Sequence, residues 1–150
     1  MKSFHLVIYE ADNIFYKGEV TSLVVPAIDG EYGVLAGHYD CVVAVEEGII
    51  RFTTAENAGK GNSLKGVIEL EADKNYSACV ATGMMRIEKG EVMMLVDSAE
   101  WPDEIDLDRA LRAQAAAKEA MLQKKSIQEY AQAEASLRRA MMRLKVKNNQ

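Results

Sequence analysis

Long hydrophobic runs are missing from this chain of 150 residues. The longest stretch without a formal charge, Asn75 to Met85, covers 11 residues, well short of the roughly 20 apolar residues a bilayer-spanning helix needs. Cysteine is scarce as well. Cys41 and Cys79 are the only two, neither belongs to a CxxC pair, and both lie in apolar strand-like runs, so the expectation is two buried core thiols and no disulfide or metal site. With only two histidines, the chain offers no nucleophile-and-base pattern, and Glu46 and Glu47 alone do not make a catalyst. The glycine-rich stretch Ala58-Gly59-Lys60-Gly61-Asn62-Ser63 is not a phosphate loop, because Val67 follows Gly66 where such a loop needs lysine. It reads as a solvent loop. The N-terminus, Met1 to Glu10, lacks the apolar length and small-residue cleavage site of a secretory signal, which makes a cytoplasmic protein the expectation.

What is present is an ordinary globular composition, 49% hydrophobic and 27% charged, with a break near Trp101-Pro102. A length of 150 residues accommodates a compact domain of about 100 residues plus an appendage, here residues 1–101 and 102–150. The net charge of −5 conceals an asymmetry: residues 1–102 hold 8 basic and 16 acidic side chains, whereas 103–150 hold 10 basic and 7 acidic. The body is therefore acidic and the appendage basic. Its last cluster, Arg138, Arg139, Arg143, Lys145 and Lys147, has no interleaved acid, and is either a solvated helix face or a surface for an anionic partner. The acidic body and the absence of aromatic residues in that cluster oppose nucleic acid as the partner.

Short runs rich in Val, Ile, Tyr and Phe, punctuated by turn formers, predict an all-β sandwich of about ten antiparallel strands. They run from Ser3 to Tyr9, Ile14 to Tyr16, Glu19 to Pro26, Tyr32 to Leu35, Cys41 to Val45, Ile49 to Thr53, Leu64 to Glu71, Tyr76 to Thr82, Met84 to Glu88 and Glu91 to Asp97. Turns are expected at Ala11-Asp12-Asn13, Lys17-Gly18, Asp29-Gly30, Glu47-Gly48, Asp73-Lys74-Asn75 and Lys89-Gly90, where Asp, Asn and Gly tolerate positive φ.

After Pro102 the chain has neither Gly nor Pro and reads as a C-terminal antiparallel αα-hairpin. Asp103 or Asp106 caps the first helix, and Ser126 with Glu129 forms a capping box for the second, beyond the interruption Gln123-Lys124-Lys125. The expected inner faces are Leu107, Ala110, Leu111, Gln114, Ala117 and Met121, and Tyr130, Ala133, Leu137, Ala140, Met141 and Leu144. This alanine-rich seam is marginal, since a buried methyl contributes about 0.8 kcal/mol against roughly 1.5 to 3 for leucine. It suits a movable arm or a plain docked hairpin.

Arg139 and Arg143 share one helix face, and neither has an acid three or four residues away; Arg138 has Glu134 and Arg112 has Asp108 at that spacing, which read as ordinary surface pairs. Arginines so placed grip phosphate oxygens in bidentate fashion. Closure of the hairpin brings Arg109 towards them, and Asp106 either accepts from the same ligand or pairs with Arg109.

The chain resembles the epsilon subunits of bacterial F-type ATP synthases over essentially its whole length. The resemblance rests on Phe15-Tyr16-Lys17-Gly18-Glu19-Val20, on Asp29-Gly30-Glu31-Tyr32-Gly33-Val34-Leu35 with Gly37-His38, on Asp97-Ser98-Ala99-Glu100, on Ile105 to Ala110 and on Arg143-Leu144-Lys145-Val146. It implies a ten-stranded sandwich followed by two helices, in a non-catalytic central-stalk subunit peripheral to the cytoplasmic face of the plasma membrane. The sandwich of such a subunit contacts gamma and the ring of c subunits of a proton- or sodium-driven machine. The arm, when raised, reaches the alpha and beta subunits and inhibits ATP hydrolysis, and in some members ATP holds it down. The family's ATP motif falls on Ile105, Asp106, Arg109 and Ala110, with Glu100 upstream and Arg139 and Arg143 on the second helix. Ala116 stands where ATP-binding members carry a further arginine. Glu31, Tyr32 and Gly33 match the ring-facing loop, and His38 a region near gamma. Ala36 and Tyr39-Asp40 replace the family's prolines, which implies a less rigid loop, and the segment from Thr53 to Ser63 is longer than usual. A sandwich-and-hairpin adaptor of another complex is the alternative.

Overall fold

The computed structural model describes residues 2–122 and 127–148. The chain folds as two units, Met1–Trp101 and Pro102–Gln150. The first contains β1 (Phe4–Glu10), β2 (Asn13–Ala27), β3 (Gly30–Leu35), β4 (Cys41–Val45), β5 (Gly48–Thr54), β6 (Lys60–Ser63), β7 (Gly66–Glu69), β8 (Asn75–Val80), β9 (Gly83–Glu88), β10 (Glu91–Val96) and β11 (Ala99–Glu100). The strands run β11-β8-β5-β2-β1-β10-β9-β4, with β3 and β6 also on β2 and β7 on β6.

The architecture turns on β2, whose first half pairs with β1 and β6 and whose second half pairs with β3 and β5. A sheet that changes partners along one strand folds over itself into a sandwich. Alternation fills the interior, since side chains two apart share a face: Leu6 and Ile8 of β1, Leu23 and Val25 of β2, Met85 and Ile87 of β9, and Val92 and Met94 of β10 are all buried.

The mostly antiparallel sandwich is present, but five details of the sequence reading are corrected. Lys17-Gly18 is no turn; β2 runs through it. Gly18 is required there because a Cβ would lie 2.4 Å from the Ala58 carbonyl oxygen, a close approach of backbone rather than a bend. The pairing of β1 with β10 is parallel, since the β9–β10 hairpin, closed by the positive-φ residues Lys89 and Gly90, returns its second strand along β1. The glycine-rich stretch is not simply a solvent loop, because Lys60–Ser63 is β6. The run from Leu64 to Glu71 breaks at Leu64-Lys65, where Ser63 Oγ accepts from the Lys65 N–H and donates to the Gly66 carbonyl, and only then continues as β7. Cys79 is buried, but Cys41 is half-buried at the end of a loop. The short β11, antiparallel to β8, has too few residues to leave a periodic signal.

The second unit opens with a single 3₁₀ turn at Pro102–Glu104, followed by α1 (Leu107–Leu122) and α2 (Ile127–Asn148). Asp106, not Asp103, is the N-cap. Its Oδ1 accepts the Arg109 N–H at 3.2 Å and its carbonyl accepts the Ala110 N–H at 2.9 Å. The capping box at Ser126, and the interruption before it, lie outside the described residues. Lys147 Nζ donates to the Pro102 carbonyl at 3.4 Å, which sets the end of α2 beside the start of α1, so the helices are antiparallel. The buried seam consists of Ala110, Ala117, Ala133 and Ala140 with Val146. Leu107, Leu111, Tyr130 and Met141, read as inner-face residues, are 40 to 50% exposed. Helices meeting through alanine methyls approach so closely that bulkier neighbours are pushed to the rim of the interface.

Tyr16 is fully buried and its hydroxyl donates to the Ala58 carbonyl. Burial, then the neighbouring Tyr76 and Glu19, push its phenol well above its usual 10.0. The folded state thus holds this proton more tightly than the unfolded chain, so the associated stability is complete below about pH 10 and is lost as pH rises further. Tyr16→Phe is expected to cost about 1 kcal/mol at neutral pH through the lost hydrogen bond, and to flatten the alkaline decline. Thermal melts across about pH 8 to 11 check this; parallel declines in parent and variant would refute the assignment.

Candidate functional site

In the arm unit, the sextet from Ile105 to Ala110 divides into buried ends and an exposed middle. Ile105 and Ala110 are 4% and 5% exposed, and the Ile105 N–H closes the 3₁₀ turn onto the Pro102 carbonyl. Asp106 and Arg109 are exposed, with the Asp106 carboxylate on the backbone N–H of Arg109. On α2, Arg139 is half-buried and its Nη2 donates to Ser136 Oγ at 3.2 Å; Arg143 is half-buried and already engaged by a neighbour. Antiparallel packing with Lys147 beside Pro102 sets the start of α1, which carries Arg109, against the end of α2, which carries Arg139 and Arg143. Ala116 is exposed, next to the seam residue Ala117. Glu100 belongs to the sandwich unit, half-buried in β11.

The surface pairs divide. Arg138 meets Glu134 at 3.7 Å, but Arg112 Nε donates to the backbone carbonyl of Asp108 at 3.4 Å rather than to its carboxylate.

The second set of residues clusters on and after β3. Glu31 is not in the turn but is the second residue of β3, paired with Pro26 across the ladder. Its carboxylate meets Arg51 of β5 at 2.8 Å. Gly33 is exposed. Tyr32 is a hub whose Oη lies 3.0 Å from His38 Nε2, 3.3 Å from Tyr39 Oη and 3.7 Å from Cys41 Sγ. His38 Nδ1 lies 2.8 Å from the Tyr39 carbonyl. A carbonyl only accepts, so Nδ1 carries a proton. The hydrogen bond with Tyr39, then that with Cys41, holds the Tyr32 phenol above its ordinary range. His38 and Tyr39 also stack, with centroids 4.4 Å apart, and Asp40 Oδ1 accepts the Lys89 N–H at 3.0 Å. Side chains therefore fasten the loop that prolines do not.

Sequence reasoning missed four exposed apolar residues around these groups. Ile28, at the tip of the β2–β3 turn, is 80% exposed; Leu35, Tyr39 and Val42 flank the hub at 65%, 70% and 61%. An isoleucine directly before Asp29-Gly30 was the available signal, since a turn tip gives it nothing to pack against. Among the described residues, no three His, Cys, Asp or Glu side chains are grouped to hold a metal, and no helix is long and apolar enough to cross a membrane. A groove of about 380 Å³ over β1, β9 and β10, lined by His5, Val7 and Arg86 among others, contains none of the residues singled out above.

Two family descriptions fit these two units. The beta-sandwich domain of the ATP synthase delta/epsilon chain matches residues 3–66, and its long alpha-helix domain matches residues 103–148. The ATP synthase epsilon chain of Caldanaerobacter subterraneus is 34% identical, over 97% of this chain and 94% of its own length. The chain belongs to the epsilon-chain family of the bacterial F-type ATP synthase. The epsilon chain of Ruminiclostridium cellulolyticum is likewise 34% identical over 99% of this chain and 98% of its own. Among solved structures, a chain of the Euglena gracilis mitochondrial ATP synthase OSCP/F1/c-ring assembly superposes with a TM-score of 0.65 at 20% identity, covering 97% of this chain and 78% of that one. A chain of the Tetrahymena thermophila central stalk/c-ring assembly gives 0.57 at 5% identity, covering 95% of each. At these identities the likeness extends to the fold alone.

The two halves of the β3 region differ in what they do for stability. An exposed ion pair is worth about 0 to 1 kcal/mol, so Glu31→Gln is expected to shift the urea midpoint little. Tyr32→Phe removes the hydroxyl that His38, Tyr39 and Cys41 share, and is expected to lower the urea midpoint by clearly more than Glu31→Gln does. An equal or reversed ranking would show that the hub does not hold the loop.

Proposed function

We propose that this epsilon chain is a non-catalytic subunit of the central stalk, peripheral to the membrane on its cytoplasmic face, whose sandwich joins gamma to the c-ring and whose arm regulates ATP hydrolysis. Glu31, Tyr32, Gly33 and Ile28 face the ring in this reading, and His38 lies towards gamma. The arm is the switch. Raised, it carries its basic end to the alpha and beta subunits and inhibits; folded down, it is held by ATP.

The observation that supports the reading is the alanine seam of the arm, closed antiparallel with Lys147 on the Pro102 carbonyl. Three arginines carried at the same end of a closed hairpin suit a triphosphate. ATP is therefore a ligand of one conformation rather than an obligatory cofactor. Glu100, Ile105, Asp106 and Ala110 complete the motif, with two reservations of chemistry: Asp106 is occupied as a helix cap, and Ala116 supplies no further cation. Both lower the affinity, and for ATP in the millimolar range to add about 2.7 kcal/mol to the state it prefers, the dissociation constant must lie about 100-fold lower.

Calorimetric titration of the subunit with ATP is the test. Saturable heat at millimolar ATP, weakened about tenfold or more (about 1.4 kcal/mol) by Arg139→Ala or Arg143→Ala, is expected. No heat, with the variants indistinguishable from the parent, removes the nucleotide and leaves the stalk assignment to be decided by co-purification with gamma.

A further inference from the structure

The segment from Ala55 to Leu70 leaves β5 and returns to the sandwich as the β6–β7 hairpin, held at several points. Glu19 N–H donates to Asn57 O, and Ala55 N–H to Glu19 O. Tyr16 Oη donates to Ala58 O. Asn62 Nδ2 donates to Ile14 O at 2.6 Å, and β6 pairs with β2 at Tyr16–Gly61 and Lys17–Lys60. Gly59, with φ of +79° and only 2.0 Å between a notional Cβ and Lys17 O, lets the two backbones touch.

The hairpin's inner strand ends on Trp101. The indole stacks on Phe15 with centroids 4.3 Å apart and planes 18° apart, meets Phe52 edge-on and is 5% exposed. Its Nε1 donates to the Asn62 carbonyl at 3.2 Å. A Cβ on Gly61 would stand 2.5 Å from Trp101 Cζ2, so the ring lies against bare backbone. The residues just before it are pinned too: Ala99 and Glu100 pair with Val80 and Cys79, and Ser98 O accepts from Ala81 N–H. Trp101 is the last residue of the sandwich unit, and Pro102 restricts it to extended backbone.

We propose that the β6–β7 hairpin is a latch on the seam between the two units: by gripping Trp101 it keeps residues 98–101 part of the sandwich, so that displacement of the arm starts at Pro102. That the arm is displaced rests on the switch proposed above; the grip on Trp101 does not. Without the hairpin the indole loses its hydrogen-bond acceptor and the backbone on which one ring edge rests, and the seam becomes part of the moving arm.

Trp101 is the only tryptophan of the chain, so the full-length protein reports on its own latch. The parent is expected to emit at short wavelength and resist acrylamide quenching. Peptides covering 98–101 should exchange amide hydrogen as slowly as the sandwich strands. Gly61→Ala pushes on the ring, and Asn62→Ala removes the side-chain bond from β6 to the Ile14 carbonyl of β2 while keeping the backbone carbonyl that accepts from the indole. With sandwich circular dichroism retained, either is expected to raise quenching several-fold and to speed exchange of 98–101 roughly tenfold, towards the rate of the arm. A parent tryptophan already open to quencher, or two folded variants that change neither readout, would overturn the latch. So would an ATP-dependent change of exchange that reaches 98–101 in the parent; a change confined to 103–148 supports it. An arm whose exchange ignores ATP while Gly61→Ala still frees the indole removes the switch and upholds the latch.

Discussion

A β-strand sends successive side chains to opposite faces, and a β-bulge is the device that breaks this alternation. The pairing of β1 with β2 skips Phe15, passing from Ile8–Tyr16 to Tyr9–Ile14, and Phe15 and Tyr16 are both fully buried in one core. Phe52 and the returning chain at Ala58 cover Tyr16. Trp101 covers Phe15. The first cover belongs to the segment after β5 and the second to the last residue of the sandwich, and β6 lies between them, bonded to both β2 and Trp101. One bulge at two aromatic residues thus ties the middle of the unit to its end, and the chain packs there so closely that three glycines, Gly18, Gly59 and Gly61, stand where Cβ atoms would collide.

This constraint also marks where sequence reading works. Alternation in β1, β4, β5, β9 and β10 is a local property, and those strands are legible to within one or two residues. Gly18 misleads because a glycine admits a turn and a close backbone approach equally well, and only the distant Ala58 carbonyl distinguishes them. Lys60–Ser63 misleads for a related reason. Its composition is that of a loop, and pairing with β2 overrides propensity. The parallel partnership of β1 and β10 has no local signature, since it depends on where a hairpin formed some eighty residues later is returned.

For the candidate site, legibility follows chemistry. Asp106 was readable as a cap because caps are short-range, although the choice between Asp103 and Asp106 needed coordinates. The Tyr32 hub was not readable as a hub: Tyr32, His38, Tyr39 and Cys41 are spread over ten residues, and what unites them is one hydroxyl. The outer rim of the arm was misjudged, because a helical period identifies a face but not which of its members reach the partner. Where alanines set the helix separation, leucines at the same period are left at the edge.

That geometry bears on regulation. The arm's seam buries four alanine methyls and Val146, a hydrophobic gain of a few kcal/mol at about 0.8 kcal/mol per methyl or methylene, set against the entropy of closing two helices of 16 and 22 residues. The Arg138–Glu134 pair, along one helix, adds nothing to closure. A leucine seam would hold the hairpin shut beyond the reach of a weak ligand, and a glycine seam would not hold it at all. An alanine seam lies between these extremes, and a ligand of the closed hairpin adds about 1.4 kcal/mol for each tenfold excess over its dissociation constant. The nucleotide switch proposed above calls for a seam of intermediate strength and a separate, firmer anchor at its root, so that the energy goes into opening the hairpin and not into unravelling the sandwich behind it.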